Sequence, residues 1–337
     1  MKQAIKMTAV YIGLVIGAGF ASGREILEYF NFPSNTSFGG IIIAAFLFMS
    51  IAYIILSKSS EENLCDFDSY ISSVCKKAAP AVKTFMLLYM FCGLFVMYAG
   101  SGALIYDTTS YSQLVGACLM ALVCFIVLSF DLKGIVTLNL ILVPLMIAGI
   151  IFVCVCSSVF KAEAAFSSFG KPAAITLSAV CYASYNTVTA GAVLVPLASN
   201  KDTKTIRVAA VGGGFVIGLL IMLVWSVQAA SFEILHESEL PMLTLAAICG
   251  KMSKRIYTAV LFMAICTTAV SYGFGLMSHF GLGIKTRRQR TLLAAVICIA
   301  ALPPAMYGFS NLVANLYSAF GYAGMAWILW IVIDRYS

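Results

Sequence analysis

Residues 7–30 read MTAVYIGLVIGAGFASGREILEYF, an apolar run that carries Gly17-Ala18-Gly19-Phe20-Ala21-Ser22-Gly23 in its middle. About twenty apolar residues make one membrane helix, yet each interior glycine weakens a helix by roughly 1 kcal/mol relative to alanine. Backbone groups freed inside hydrocarbon must be satisfied by protein, cavity water or a ligand. Arg24, Glu25 and Glu28 follow at once. Charges at that depth cost at least about 2.5 to 3.5 kcal/mol each, and they face a bundle interior or a wet cavity. The stretch therefore reads as a discontinuous helix whose broken middle lines a binding site. Two plainer readings stand beside it. Small residues from Gly13 onward also form a small-xxx-small packing face, and Lys2 and Lys6 before the apolar run resemble a signal peptide. A dinucleotide fingerprint is disfavoured, because the spacing is G-x-G-x-x-x-G and no strand precedes it.

The whole chain shares this character. Hydrophobic residues make up 61% of it and charged residues only 10%, which describes a polytopic helical membrane protein rather than a soluble domain with an anchor. Eleven cysteines do not make a disulfide scaffold here. Cys92, Cys118, Cys124, Cys154, Cys156, Cys181, Cys266 and Cys298 sit inside apolar runs, as small packing residues do. His236 and His279 are the two histidines, and no Cys/His cluster has ligand spacing, so no transition metal and no organic cofactor is expected.

Further apolar runs fall at about 38–57, 84–106, 113–130 and 134–156, then at 172–198, 208–230, 256–280, 291–309 and 312–333. The expected fold is all-α, with about ten transmembrane helices in two five-span halves, about 1–156 and 172–334, in a single domain over 1–337. Five crossings reverse the chain, so the halves are inverted. Residues 242–250, MLTLAAICG, are too short to cross and are expected to lie as a helix at the membrane surface. Most of the 21 Lys and Arg residues, including Lys76, Lys77, Lys204, Arg207, Arg287 and Arg288, fall on one side if the N-terminus is cytoplasmic. Positive residues mark the cytoplasmic face. Both termini of this cytoplasmic-membrane protein then face the cytoplasm, and the net charge of +7 reports topology without a nucleic-acid partner.

The sixth run, PAAITLSAVCYASYNTVTAGAVLVPLA, places Tyr182, Ser184, Tyr185, Asn186, Thr187 and Thr189 at its centre, with Gly191 and Pro196 after them. So many polar groups in one span predict a second interrupted helix, although ordinary interhelical hydrogen bonds account for one or two of them. Interrupted helices at corresponding positions of inverted repeats point to the midplane site of a secondary transporter.

GAGFASGRE in the first span, CYASYNTVTAGAVLVPLA in the sixth, LPMLTLA before the eighth and FSNLVANLYSAFGYAG entering the tenth resemble YkvI-type bacterial membrane proteins. That family is similar to the amino acid, polyamine and organocation superfamily with its LeuT-type five-plus-five fold. In such a fold, the amides of Ala18, Gly19, Phe20, Ala21, Ser22 and Gly23 hold an anionic group such as a carboxylate. Tyr182, Tyr185 and Asn186 complete the solute pocket, and Tyr98 reaches in from the third span or simply packs there. Arg24, Glu25 and Glu28 form a gate, or Arg24 and Glu28 form a local i,i+4 pair. By resemblance to sodium-coupled members, Ala264, Thr267 and Thr268 face Gly13 and Ile16 across a cation site. Their five neutral oxygens suit sodium, while a proton would have to use Glu25, Glu28 or tyrosine.

The expectation is a secondary transporter, not an enzyme, that moves a small amino-acid-like or zwitterionic solute through the lipid bilayer under a sodium or proton gradient. The alternative is a receptor subunit that senses a solute in the same pocket. No H-E-x-x-H and no G-x-S-x-G motif argues for intramembrane catalysis. Oligomeric state is not legible.

Overall fold

A computed structural model describes residues 2–30, 37–130, 134–158, 172–281 and 286–336. The connection between the expected halves, at 159–171, and Lys285 of the basic loop lie outside the described residues. Everything regular in the described residues is helical. The first span is in three pieces, α1 (Lys2–Val15), α2 (Ala18–Ser22) and α3 (Arg24–Phe30). Then come α4 (Ser37–Glu61), α5 (Phe67–Cys75), α6 (Ala79–Thr109), α7 (Gln113–Phe130) and α8 (Gly134–Ser158). The second half holds α9 (Pro172–Ala198), α10 (Thr203–Ala230), the short α11 (Phe232–Leu235) and α12 (Pro241–Ile248), and α13 (Lys251–Phe280). It ends with α14 (Arg287–Ala300), α15 (Leu302–Ala305), α16 (Phe309–Leu312) and α17 (Ser318–Tyr336), the last two joined by a π-helical turn over Val313–Tyr317.

Among the described residues, seven helices are long and apolar enough to cross a membrane, with two shorter apolar ones at Gln3–Val15 and Leu142–Ser157. The protein is thus a multi-pass all-α membrane protein. Its apolar side chains divide accordingly. Tyr11, Phe20, Phe48, Tyr98 and Phe309 are fully buried, whereas Phe46, Leu122, Phe152, Leu292 and Leu329 are exposed on the outside, where lipid replaces water.

Polar caps mark several places where the chain turns. Asp66 accepts the Ser69 amide at 2.8 Å ahead of α5, and Asp202 accepts the Thr205 amide at 3.0 Å ahead of α10. Those helix-starting bonds, from the side chain and amide of Ser69 and of Thr205, hold both carboxyls below the usual aspartate range.

The helices pack in two groups. α1, α4, α9 and α10 lie together, and α6, α7, α13 and α14 form the other group. α17 runs along α9, while α8 leans mainly on α13 and touches α1 at few points. The gap that this leaves between α1 and α8 becomes part of the site.

Two expectations are corrected here. The sixth span is not interrupted: α9 is one helix from Pro172 to Ala198. Its polar side chains bond to carbonyls of their own helix, Ser184 to Val180, Asn186 to Tyr182 and Thr187 to Ala183, so none of them needs an unwound backbone. The short segment before the eighth span is not a surface helix either. Met242, Leu243, Leu245 and Ala246 of α12 are all fully buried, because α12 sinks between α8, α13 and the broken first span.

Candidate solute and cation site

The break in the first span has two edges. At the first, the Gly17 amide donates to the Val15 carbonyl at 3.0 Å, not to the Gly13 carbonyl that a continuing helix would offer it. Gly13 thereby loses its helical donor and keeps an unspent acceptor. At the second edge Gly23 is left-handed, with φ +78° and ψ −5°. A side chain there meets both backbone strain and a wall, since a Cβ would fall 2.5 Å from Gln228 Nε2 and 2.6 Å from Met242 Cγ.

Remote side chains cap carbonyls along this break, including that of Gly23, which also accepts the Leu27 amide at 3.0 Å. The Tyr257 hydroxyl donates to the Ala21 carbonyl at 2.6 Å, and Gln228 Nε2 donates to the Gly23 carbonyl at 2.8 Å. The Ser22 hydroxyl turns back to the Gly19 carbonyl at 2.7 Å. Phe20 is fully buried. The stretch from Phe20 to Gly23 is therefore packed against protein.

The other side of the break is open. A cavity of about 310 Å³ runs from Gly19 back along α1 toward the end of the bundle where the chain begins. α1, α2 and the link between them contribute Gly13, Ile16, Gly17, Ala18 and Gly19, and α3 contributes Glu25. α9 brings Tyr185, Asn186 and Thr189, and α13 brings Thr267, Thr268, Ser271 and Tyr272. Met86, Tyr89, Met90 and Met97 of α6, Val143 and Met146 of α8, and Tyr317 close the rest.

The residues expected to bind solute therefore divide. Ala18, Gly19, Tyr185 and Asn186 line the cavity; Phe20, Ala21, Ser22, Gly23, Tyr98 and Tyr182 do not. Each exclusion has a cause. The four residues after Gly19 lie on the filled side, where the Ala21 and Gly23 carbonyls are capped as described. Tyr182 stacks into an aromatic cluster, its ring centroid 5.4 Å from Tyr29, 5.1 Å from Phe30 and 5.9 Å from Phe48. Tyr98 sits beside Cys124 and Cys298, on the side of α6 away from the cavity, while its neighbour Met97 lines it. Asn186 lines the cavity with Nδ2 already donating to the Tyr182 carbonyl at 3.0 Å.

Four of the five expected cation ligands line the cavity. Gly13, Ile16, Thr267 and Thr268 are among its lining residues, and a Cβ on Gly17 would lie 4.0 Å from the Thr268 hydroxyl oxygen. Ala264 is buried just behind, and its carbonyl accepts the Thr267 hydroxyl at 3.1 Å.

The expected gate splits in two. Arg24 pairs with Glu28 at 3.3 Å and donates to the Ser238 and His236 carbonyls at 3.2 and 3.4 Å, pinning α3 to the loop before α12. Glu25, one residue on and so about 100° around the helix, turns the opposite way into the cavity. Sequence reasoning missed Tyr272, Tyr317 and Ser271 as lining residues, and it missed Glu239. This last carboxylate accepts from Gln113 Nε2 at 3.4 Å at the filled end. Burial pushes it above the usual carboxylate range, against the pull of Gln113 and of Arg24.

No family model matches the chain. The uncharacterized membrane protein YkvI of Bacillus subtilis is 28% identical over 332 residues, spanning 97% of this chain and 94% of its own length. Among solved structures, MhsT in complex with L-phenylalanine superposes with a TM-score of 0.65 at 15% identity, covering 96% of this chain and 87% of its own. A manganese transporter of Eremococcus coleocola gives 0.63 at 13% identity over 98% and 77%. At these identities the structural likeness is one of fold. The chain is accordingly YkvI-like in sequence and LeuT-type in fold.

Proposed function

We propose that the protein is a secondary active transporter that moves a small amino-acid-like solute across the cytoplasmic membrane by alternating access, driven by a sodium or proton gradient. In this reading ten spans form a single domain of two inverted five-span halves, with both termini in the cytoplasm. The observation that carries it is the one-sided cavity at the helix break. Alternating access needs a central site that opens to one side at a time. Here the break is sealed toward α12 by Tyr257, Gln228 and Met242, while space continues from it toward the N-terminal end of the bundle.

The cation-coupling part of the proposal rests on the same wall. The carbonyls of Gly13, Ile16 and Ala264 and the hydroxyls of Thr267 and Thr268 are neutral oxygen ligands suited to sodium. Glu25 is the acid nearest to this wall that could carry a proton instead.

Reconstituted vesicles test the reading. A solute that binds the purified protein should accumulate when a sodium or pH gradient is imposed and should equilibrate without one. A bound solute that never accumulates under either gradient overturns transport and leaves a sensing role. Topology is checked separately: Arg288→Cys on a cysteine-free background should resist an impermeant thiol reagent in intact cells.

A further inference from the structure

Glu25 is the one acidic residue among the described residues that line the cavity. α3 begins just after Gly23, and helical side chains lean back toward the N-terminus of their helix. The Glu25 side chain therefore folds over the break and rests against Gly19, where a Cβ would fall only 1.8 Å from Oε1. Glycine at position 19 is what leaves room for this carboxyl. The residue is 5% exposed, and its Oε2 is buried with no hydrogen-bond partner.

Nothing cationic answers it. No Lys, Arg or His is among the described residues lining the cavity, and Arg24 is committed to Glu28 and two loop carbonyls. An unpaired buried carboxylate costs several kcal/mol, so it is matched by a cation or neutralised by a proton. Its surroundings suit a cation. Tyr185 and Tyr317 stand 5.0 Å apart between ring centroids, both lining the cavity, and the Tyr185 hydroxyl lies beside the Glu25 carboxyl. Tyrosine faces attract ammonium groups, all the more when water is excluded. Beyond them the thioethers of Met86, Met90 and Met97 give an adaptable apolar wall.

We propose that the cavity holds its solute by an ammonium group, with Glu25 as counter-ion, Tyr185 and Tyr317 as aromatic walls, and the methionines around an apolar body. The solute class is a primary amine with an apolar remainder, with or without a carboxylate elsewhere. Glu25 is then a substrate-binding residue, not part of a gate. Gly19 is a positioning residue. The inference rests on the transport reading only in calling the bound amine cargo.

The test is calorimetric titration of the purified full chain with phenethylamine, its N-acetyl derivative and 3-phenylpropionate. The amine should bind the wild-type protein, and the neutral and anionic analogues should bind at least tenfold more weakly. Glu25→Gln should weaken the amine at least about thirtyfold, as expected when one partner of a buried charge pair is lost. Gly19→Ala, which displaces the carboxyl without removing it, should give a smaller loss and serves if Glu25→Gln does not fold. Failure of the amine to bind the wild-type chain, or preference for 3-phenylpropionate, overturns the proposal. So does unchanged amine affinity in Glu25→Gln; if that variant also loses pH-driven uptake, Glu25 carries a proton instead. Amine binding without gradient-driven uptake leaves the ammonium site standing and overturns transport.

Discussion

The first and sixth spans have comparable polarity at their centres, and one is broken while the other is not. In α9 the central Ser184, Asn186, Thr187 and Thr189 side chains each find an acceptor within their own helix. Thr189 reaches the Asn186 carbonyl at 2.8 Å, and Thr187 and Ser184 reach back four residues at 2.8 and 2.6 Å. In the first span the polar groups that matter belong to the backbone. Glycines at 17 and 23 redirect the chain, and Tyr257 and Gln228, more than two hundred residues away, supply the donors. Polar side chains alone do not unwind a membrane helix. A break needs a left-handed position and a partner elsewhere in the fold.

The strongest way to break this contrast is to fill Gly23. Gly23→Val forces a β-branched residue to φ +78°, costing about 1–2 kcal/mol, and drives its Cβ into Gln228 and Met242, which adds a further 1–3 kcal/mol of overpacking. A large fall in melting temperature and loss of monodisperse protein on size exclusion are expected. Gly191→Ala in α9 is the control. It gains about 1 kcal/mol of helix propensity and has only the Phe67 ring to displace, so its melting temperature should stay near wild type. If both substitutions are equally tolerated, the break is not held by Gly23.

A second pair removes one hydroxyl from each span's support. Tyr257→Phe leaves the Ala21 carbonyl unsatisfied in a buried place, at a cost of about 1–3 kcal/mol. Thr187→Val in α9 removes a bond to a carbonyl in the same helix and should cost well under 1 kcal/mol. Chemical or thermal unfolding in detergent reads the difference. Equal losses would mean that α9 depends on its internal bonds as much as the first span depends on remote ones.

The contrast also explains what the sequence displayed and what it hid. The glycines in GAGFASG announce the first break because the weakening is local. Tyr272 and Tyr317 could not be assigned to the cavity from sequence, since their place depends on how α13 and the turn before α17 pack against α3 and α9. Arg24 and Glu25 look alike as adjacent charges after a break, yet a helix sets them on different faces, and only the packed neighbours decide which one faces inward. Tyr98 lies off the cavity for the same reason: its neighbour Met97 takes the cavity side of α6. α12 was misplaced because a short apolar segment can lie on a membrane or plug a bundle, and hydropathy does not distinguish the two.

The proposed cation wall joins the broken span to a third element, the unbroken α13, since Gly13, Ile16, Thr267 and Thr268 line the same cavity. If sodium sits there, Thr267→Ala combined with Thr268→Ala should weaken sodium activation of uptake by at least about tenfold, the size of one lost charge-assisted contact. Solute affinity measured at saturating sodium should change less. Uptake that follows a pH gradient in sodium-free buffer, unchanged by the double substitution, would make the two threonines packing residues.

The smallest expected effect lies at the filled end of the first span, where Glu239 sits close to Arg24, Gln113 and the turn at Gly308. α9 has no ionisable group in an equivalent role, so this residue separates the two spans by pH. Burial dominates at Glu239 and raises its folded-state pKa above the ordinary value of 4.5. The folded protein then holds the Glu239 proton more tightly than the unfolded chain does. Stability from this group is fully present below the unfolded pKa and is lost as pH rises through the folded one. Glu239→Gln, which keeps the shape and removes the charge, should therefore match wild type near pH 4 and exceed it near pH 8. Thermal melting across that range gives the answer. A variant that is instead less stable than wild type at pH 8 would mean that the attraction to Arg24 outweighs burial, and that Glu239 helps to pin α3 in place.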